Sequence, residues 1–329
     1  MKLVDNDKPH KRISLSGAIF LQPAENQPQQ IRSSSDQLKR TRLIGYGLLA
    51  ITMLIWGSFT LISRFGATQV MTTWDIGALR FLTASLVLIP IQIYRREWRF
   101  LLDLRVLVLA LIGGITYSSL AYAGFGHAPA AHAAVWMNGL LPFWTAVAAL
   151  VILREALSRD NWISLMVIAI GLIGMSSLMY EEHKFALGIG DLFFVLAALT
   201  WGIYTALLKR WMLPPWQAMT GVALLSTLIY LPIYALFLPS RLAEATLSQI
   251  LTQAIFQGVF VVIIAMLTFI GAVERLGAVK VGSILALAPL LAALAAVPLL
   301  DEPLSLAILV GLIGVSIGAL QPWRLFRKN

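Results

Sequence analysis

In a sequence that is 59% hydrophobic, a handful of polar side chains stand where the apolar chain itself must serve as their solvent. Arg80 is the basic one. It lies about six residues inside an apolar run, and an unpaired charge at that depth costs several kcal/mol, so it must face an interior. There it either binds a carboxylate or phosphate of a solute or caps helix carbonyls. The most polar run is His132, Trp136, Asn138, Gly139 and Pro142. At 100° per residue these five positions cover roughly 160° of one helix face. That face either lines a solute cavity or ties neighbouring helices together through Asn138 and His132. Tyr117, in the row Thr116-Tyr117-Ser118-Ser119, belongs to the same set because its hydroxyl needs a partner. Trp56 joins it from the first apolar run, and the second half adds Trp201, Tyr204, Gln257, Thr268 and Ser283 as weaker candidates. One cation, an amide, several hydroxyls and a group of rings suit reversible binding of a zwitterion or a mixed apolar and polar metabolite.

The absences narrow the chemistry further. There is no cysteine, which excludes disulfides and thiolate metal sites, and there are four histidines. Every Asp and Glu falls in a tail, a link or a helix end, so none stands in mid-membrane to relay protons. His132 is then the one group within a span whose ordinary pKa lies near neutrality. An enzyme acting on a lipid or acyl group would need a clustered nucleophile and base, and the sequence offers one His and one Asn without a carboxylate or Cys beside them. The expectation is no catalytic residue, no metal and no cofactor. The net charge of +9 and pI near 10 raise the question of nucleic acid, yet the basic residues sit between the apolar runs, where they determine topology.

The elements that position these groups follow from hydropathy. Only 12% of residues are charged, against about 25% in soluble domains, and mean hydropathy is +0.81. A span needs about 20 apolar residues. Runs of that kind fall at roughly 43–63, 74–94, 104–123, 129–152, 162–180, 188–208, 216–238, 251–272, 278–299 and 304–322. The fold expected is an all-α integral membrane protein of ten transmembrane helices. Placing the N-terminus inside gathers Lys39/Arg40/Arg42, Arg95/Arg96/Arg99/Arg105, Arg154/Arg159, Lys209/Arg210, Arg275/Lys280 and Arg324/Arg327/Lys328 on the cytoplasmic face. Only Arg64, Lys184 and Arg241 then lie outside, so both termini are expected to be cytoplasmic. Trp74, Trp98, Trp216 and Trp323 read as interfacial anchors. Residues 1–42 are polar and mixed in charge, and read as a disordered cytoplasmic tail; residues 324–329 form a C-terminal tail.

Two segments occur twice. Trp56-Gly57 with Phe59-Thr60 returns as Trp201-Gly202 with Tyr204-Thr205, an offset of 145. Pro142, Glu155, Leu157-Ser158 and Gly171 return as Pro289, Glu302, Leu304-Ser305 and Gly318, an offset of 147. The expected division is therefore 43–182 and 183–323, and an odd number of spans per repeat inverts the second copy. Gly139, Pro142 and Pro289 mark hinge positions in spans four and nine. Proline removes a backbone hydrogen bond there, either as a packing kink or to open a carbonyl to a midplane cavity. Arg80 has no such echo, since its equivalent is apolar, near Val222.

These residues together resemble the EamA type of the drug/metabolite transporter superfamily. The likeness rests on Trp56-Gly57, Arg80-Phe81, and the stretch from Pro142 to Glu155-Ala156-Leu157-Ser158 with its copy from Pro289 to Glu302-Pro303-Leu304-Ser305. It covers roughly 43–322. It implies ten helices with both ends cytoplasmic, and a cavity between spans one to four and six to nine, with spans five and ten peripheral. It also implies export of amino acids, metabolites or toxic compounds across a bacterial inner membrane. Partners are then a small-molecule solute and the lipid bilayer. Small multidrug relatives carry a carboxylate in span one that this chain lacks, which speaks against cation antiport.

Overall fold

The computed structural model describes residues 27–181, 188–277, 281, 284–285, 287–301 and 305–325. Among them there are helices and no strands. Contacts separate a short unit, Met1–Thr41, from the main one, Arg42–Asn329. In the short unit the backbone is helical from Gln27 onward, where the sequence suggested disorder. The Gln-, Leu-, Lys- and Arg-rich stretch there contains good helix formers.

Ten helices follow among the described residues. They are α1 (Lys39–Thr68, the apolar part of the helix begun at Gln27), α2 (Thr73–Arg95), α3 (Leu104–His127), α4 (Ala130–Leu153) and α5 (Arg159–Glu181). The second set is α6 (Ile189–Trp211), α7 (Pro215–Phe237), α8 (Leu247–Leu276), α9 (Ala288–Leu300) and α10 (Leu306–Leu320). Seven of them are long and apolar enough to cross a membrane. Their positions follow the hydropathy runs closely. Helix starts are chemically marked: Thr72 and Asp75 form a reciprocal cap on α2, and Asp191 accepts from the Gly188 N–H at 3.1 Å ahead of α6. Arg154 and Asp301 close α4 and α9 in the same left-handed conformation, φ 57° and 54°, at the same offset of 147 as the prolines.

The two proline helices are both broken. α4 widens into a π-helical turn over Ala134–Gly139, bends at Leu140 and restarts at Leu141, so Pro142 sits in the first turn of a new segment. There the N–H it lacks would have had no partner in any case. Leu287 has nearly the same backbone angles as Leu140 and precedes the start of α9 at Ala288. Proline therefore begins a half-helix in each copy.

A first helix from the opposite repeat packs against each restart. Gly202 in α6 lies so close to α4 that a Cβ would stand 2.8 Å from the Trp144 carbonyl, while at Gly57 in α1 the nearest neighbour is the Ala288 oxygen at 4.0 Å. At Gly202 the repeated Trp-Gly pair has a packing reason, since the glycine lets α6 approach the restart of α4. α4 and α6 are also tied at their ends. His132 Nδ1 and Asp191 Oδ1 share a 2.8 Å hydrogen bond where both helices begin, and Lys209 Nζ contacts Glu155 at 2.7 Å where both finish. The second pair is exposed and contributes little, while in the first Asp191 is buried and His132 partly so. α5 and α10 lie side by side, with Gly171 and Gly314 so close that a Cβ on either would meet the other backbone.

Two variants, Gly202→Val and Asp191→Ala, test the α4–α6 pairing by the unfolding midpoint of the detergent-solubilised protein, with Gly57→Ala as the contrast in α1. Gly202→Val should cost about 1–3 kcal/mol by overpacking, whereas Gly57→Ala should stay within about 0.5 kcal/mol. Asp191→Ala, which strands His132 and the Gly188 N–H, should cost about 1–3 kcal/mol.

Candidate functional site

Between the repeats lies a cavity of about 190 Å³. Among the described residues seven helices wall it: α1 with Trp56 and Phe59, α2 with Arg80, Phe81 and Ala84, α3 with Gly113, Gly114 and Tyr117, α4 with Asn138 and Leu141, α6 with Trp201 and Tyr204, α7 with Met219, Val222 and Ala223, and α8 with Val261, Val262 and Met266.

The local backbone makes this wall. α3 is π-helical over Ala110–Thr116 and α8 over Ala254–Ile264, at corresponding places in the two repeats. Such widened turns shift the register of the following side chains. Gly113 leaves room for Tyr204, whose ring would lie 2.2 Å from an added Cβ. The restart of α4 puts Leu141 at the wall, and with it the positive end of the half-helix Leu141–Ala148.

Six of the expected side chains are brought together here: Trp56, Arg80, Tyr117, Asn138, Trp201 and Tyr204. Tyr117 stacks obliquely on Trp201 at 4.7 Å, and Trp201 on Tyr204 at 5.1 Å, forming a ladder of rings along one side. Among the described residues, Asn138, Tyr117 and Tyr204 make no hydrogen bond through their side chains, and Arg80 has no ion pair. Arg80 Nη1 reaches the Tyr122 hydroxyl at 3.4 Å, and its guanidinium stands 5.9 Å from the centre of the Phe59 ring. Val222, the position equivalent to Arg80 in the second repeat, lines the same cavity.

The remaining candidates are placed elsewhere. His132 does not line the cavity; its ring is held by Asp191 at the end of the bundle where α4 and α6 begin. Trp136 packs between two apolar clusters, one with Phe125 and Phe194 and the other with Leu312. A charged capping residue and the outer face of a π-helical turn took these two groups away from the cavity. Gly139 contacts α10, where a Cβ would lie 2.8 Å from Val315. Pro142 is half-buried at the start of the half-helix, and Pro289 occupies the corresponding first turn of α9. Ser283 lies outside the described residues.

Of the weaker candidates, Thr268 pairs with Thr52 at 2.8 Å and Gln257 belongs to a polar relay behind Arg80 that sequence reading missed. The Tyr122 hydroxyl donates to Gln257 Oε1 at 3.1 Å, Gln257 Nε2 donates to Ser63 Oγ at 3.0 Å, and Gln253 Nε2 to the Ile62 carbonyl at 2.9 Å. All but Ile62 are buried, and the chain joins α2, α3, α8 and α1. The signal available was two glutamines one turn apart, Gln253 and Gln257, in an otherwise apolar run.

The two ends of the cavity differ. Toward the starts of α4 and α6 it is stopped by Phe59, Tyr122, Phe125, Phe194 and Met137, each at most 7% exposed. In the first half of α4 nearly every residue is buried, whereas after the break only Ala148 is buried in the segment Leu141–Ala148.

Comparison with known proteins adds the family. The model of the EamA-like transporter family matches the chain twice, over residues 43–177 and 188–321. A protein of Clostridium kluyveri described as an uncharacterized transporter is 23% identical over 296 residues, 84% of this chain and 92% of that protein. A solved crystal structure, described only as that of a protein, has the same fold with a TM-score of 0.59 at 21% identity, covering 88% of this chain and 99% of its own. Two matches of one model within one chain correspond to the doubled Trp-Gly and proline segments and to the two broken helices. The chain belongs to the EamA-like transporter family, as a multi-pass helical membrane protein made of two copies of one five-helix repeat.

Proposed function

We propose that the chain is a secondary transporter that exports small metabolites, amino acids or related compounds, across the bacterial inner membrane by alternating access. The observation that carries this reading is the cavity between two inverted repeats, closed by aromatic packing at one end and flanked by the more open half of α4 at the other. Inverted repeats allow a second arrangement of similar energy in which the closed and open ends exchange. The repeats run over 43–182 and 183–323, with tails at 1–42 and 324–329. The bias of Lys and Arg toward one set of links supports cytoplasmic termini. Trp56, Arg80, Tyr117, Asn138, Trp201 and Tyr204 bind the solute, and Gly139, Pro142 and Pro289 are the hinge positions. The buried stop at Phe59, Phe125 and Phe194 speaks against a static channel. A lipid- or acyl-processing enzyme finds no nucleophile beside a base among the groups lining the cavity.

A growth screen of an overexpressing strain against toxic amino-acid analogues and antimetabolites should show resistance to at least one, followed by saturable flux in proteoliposomes. Asn138→Ala and Arg80→Ala should each lower that flux at least about tenfold, with membrane insertion intact. Normal flux from both removes the assignment of the cavity as the transport site. The chain has no cysteine, so single substitutions report without background. Ala133→Cys, buried at the closed end, should react with an impermeant maleimide only when solute drives the cycle. Labelling that is the same with and without solute points to a channel.

A further inference from the structure

The cavity is divided chemically as well as structurally. Its charged and amide groups, Arg80 and Asn138, come from the first repeat, and the residues that α7 and α8 contribute are apolar, among them Met219, Val222 and Val262. Among the described residues no carboxylate lines it. Arg80 is served only by a long contact to the Tyr122 hydroxyl and by the Phe59 ring, with no ion pair among the described residues. The half-helix that starts at Leu141 adds a positive end to the same wall.

A charged head group must fit these terms. An anion gains the bidentate donors of a guanidinium in a low-dielectric space, where the interaction is strongest. An ammonium meets the unneutralised charge of Arg80 and no acid. A dianion would exceed the single cation facing it. The body of the solute meets the Tyr117–Trp201–Tyr204 rings and the apolar side. Pockets for drug-sized ligands run about 300–1,000 Å³, so 190 Å³ suits a small metabolite.

We infer that the solute is a small organic monoanion, a carboxylate or sulfonate on an apolar or aromatic body without an ammonium group. This rests on the reading of the cavity as the transport site. Within the amino-acid-related compounds, it selects the acids that lack the amine.

Three probes with one body and different heads test it: phenylacetate, L-phenylalanine and phenethylamine, with benzenesulfonate as a second anion. Binding is measured by calorimetry on the purified full-length chain in detergent. Phenylacetate and benzenesulfonate are expected to bind at least about tenfold more tightly than the other two, and Arg80→Gln to weaken both anions by at least about tenfold while sparing phenethylamine. Equal affinities, a preference for the amine, or an unchanged anion affinity in Arg80→Gln overturns the inference; so does the binding of none. Should Arg80→Gln not yield folded protein, the ranking of head groups on the native chain decides. Counterflow of labelled phenylalanine and benzenesulfonate in proteoliposomes separates this from the transport reading. Exchange of phenylalanine without anion binding overturns the anion and leaves transport standing. Arg80-dependent anion binding without exchange of any probe leaves the anion site and removes transport.

Discussion

The structure depends on one covalent constraint used twice: an α-helix cannot run through a proline without losing a hydrogen bond to the preceding turn. In α4 the helix gives way at Leu140 and begins again with Pro142 in its first turn, and α9 begins just after Leu287 in the same manner. Three consequences follow from the first break. Asn138 is left at the edge of an interrupted ladder, facing a space rather than a neighbour. Leu141 opens a short segment whose positive end is turned to that space. The backbone of Trp144 becomes accessible to α6, which only a glycine at position 202 can approach so closely. The His132–Asp191 hydrogen bond and the close contact at Gly202 then hold helices from different repeats side by side.

What the sequence made legible were the residues for which no common substitute exists. The ten runs stood out because about 20 apolar residues are required at each crossing. The prolines and the Trp-Gly pairs stood out because apolar drift does not duplicate such residues in order. The π-helical turns were not legible: Gly113-Gly114 in α3 corresponds to a stretch of α8 rich in Val and Ile, so no residue type announces them. The departure of His132 was hidden for a related reason. Asp191 reads as an ordinary capping acid at the start of a helix, and its second oxygen meets a histidine 59 positions away only after two repeats have folded together. Trp136 followed the same π-helical turn out of the arc that regular spacing had assigned to it.

The Tyr122–Gln257 relay shows how a membrane protein accommodates polar groups away from its cavity. Each donor and acceptor in it finds a protein partner, which is what a low-dielectric interior demands. Arg80 stands at the end of this relay but is not absorbed by it, since its contact to Tyr122 is at the long limit of a hydrogen bond. Asn138, Tyr117 and Tyr204 share that condition. The network behind the wall is satisfied and the groups on the wall are not, and this difference separates scaffold from site within a chain of nearly uniform composition.

Symmetry and chemistry therefore divide the work. Much of the scaffold is duplicated: both proline restarts, both left-handed helix ends at Arg154 and Asp301, and the π-helical turns of α3 and α8 recur at corresponding positions. The side chains on the wall are not, with Arg80 facing the cavity from one repeat and Val222 from the other. Packing is unequal too, for Gly202 is pressed against α4 while Gly57 meets no atom of the described residues closer than 4.0 Å. If the two repeats exchange arrangements during transport, Gly57 takes the close contact in turn, and a side chain there would block that state alone. Arg80 has no counterpart in the second repeat, so among the described residues the one charge on the wall belongs to the first repeat while the scaffold belongs to the pair.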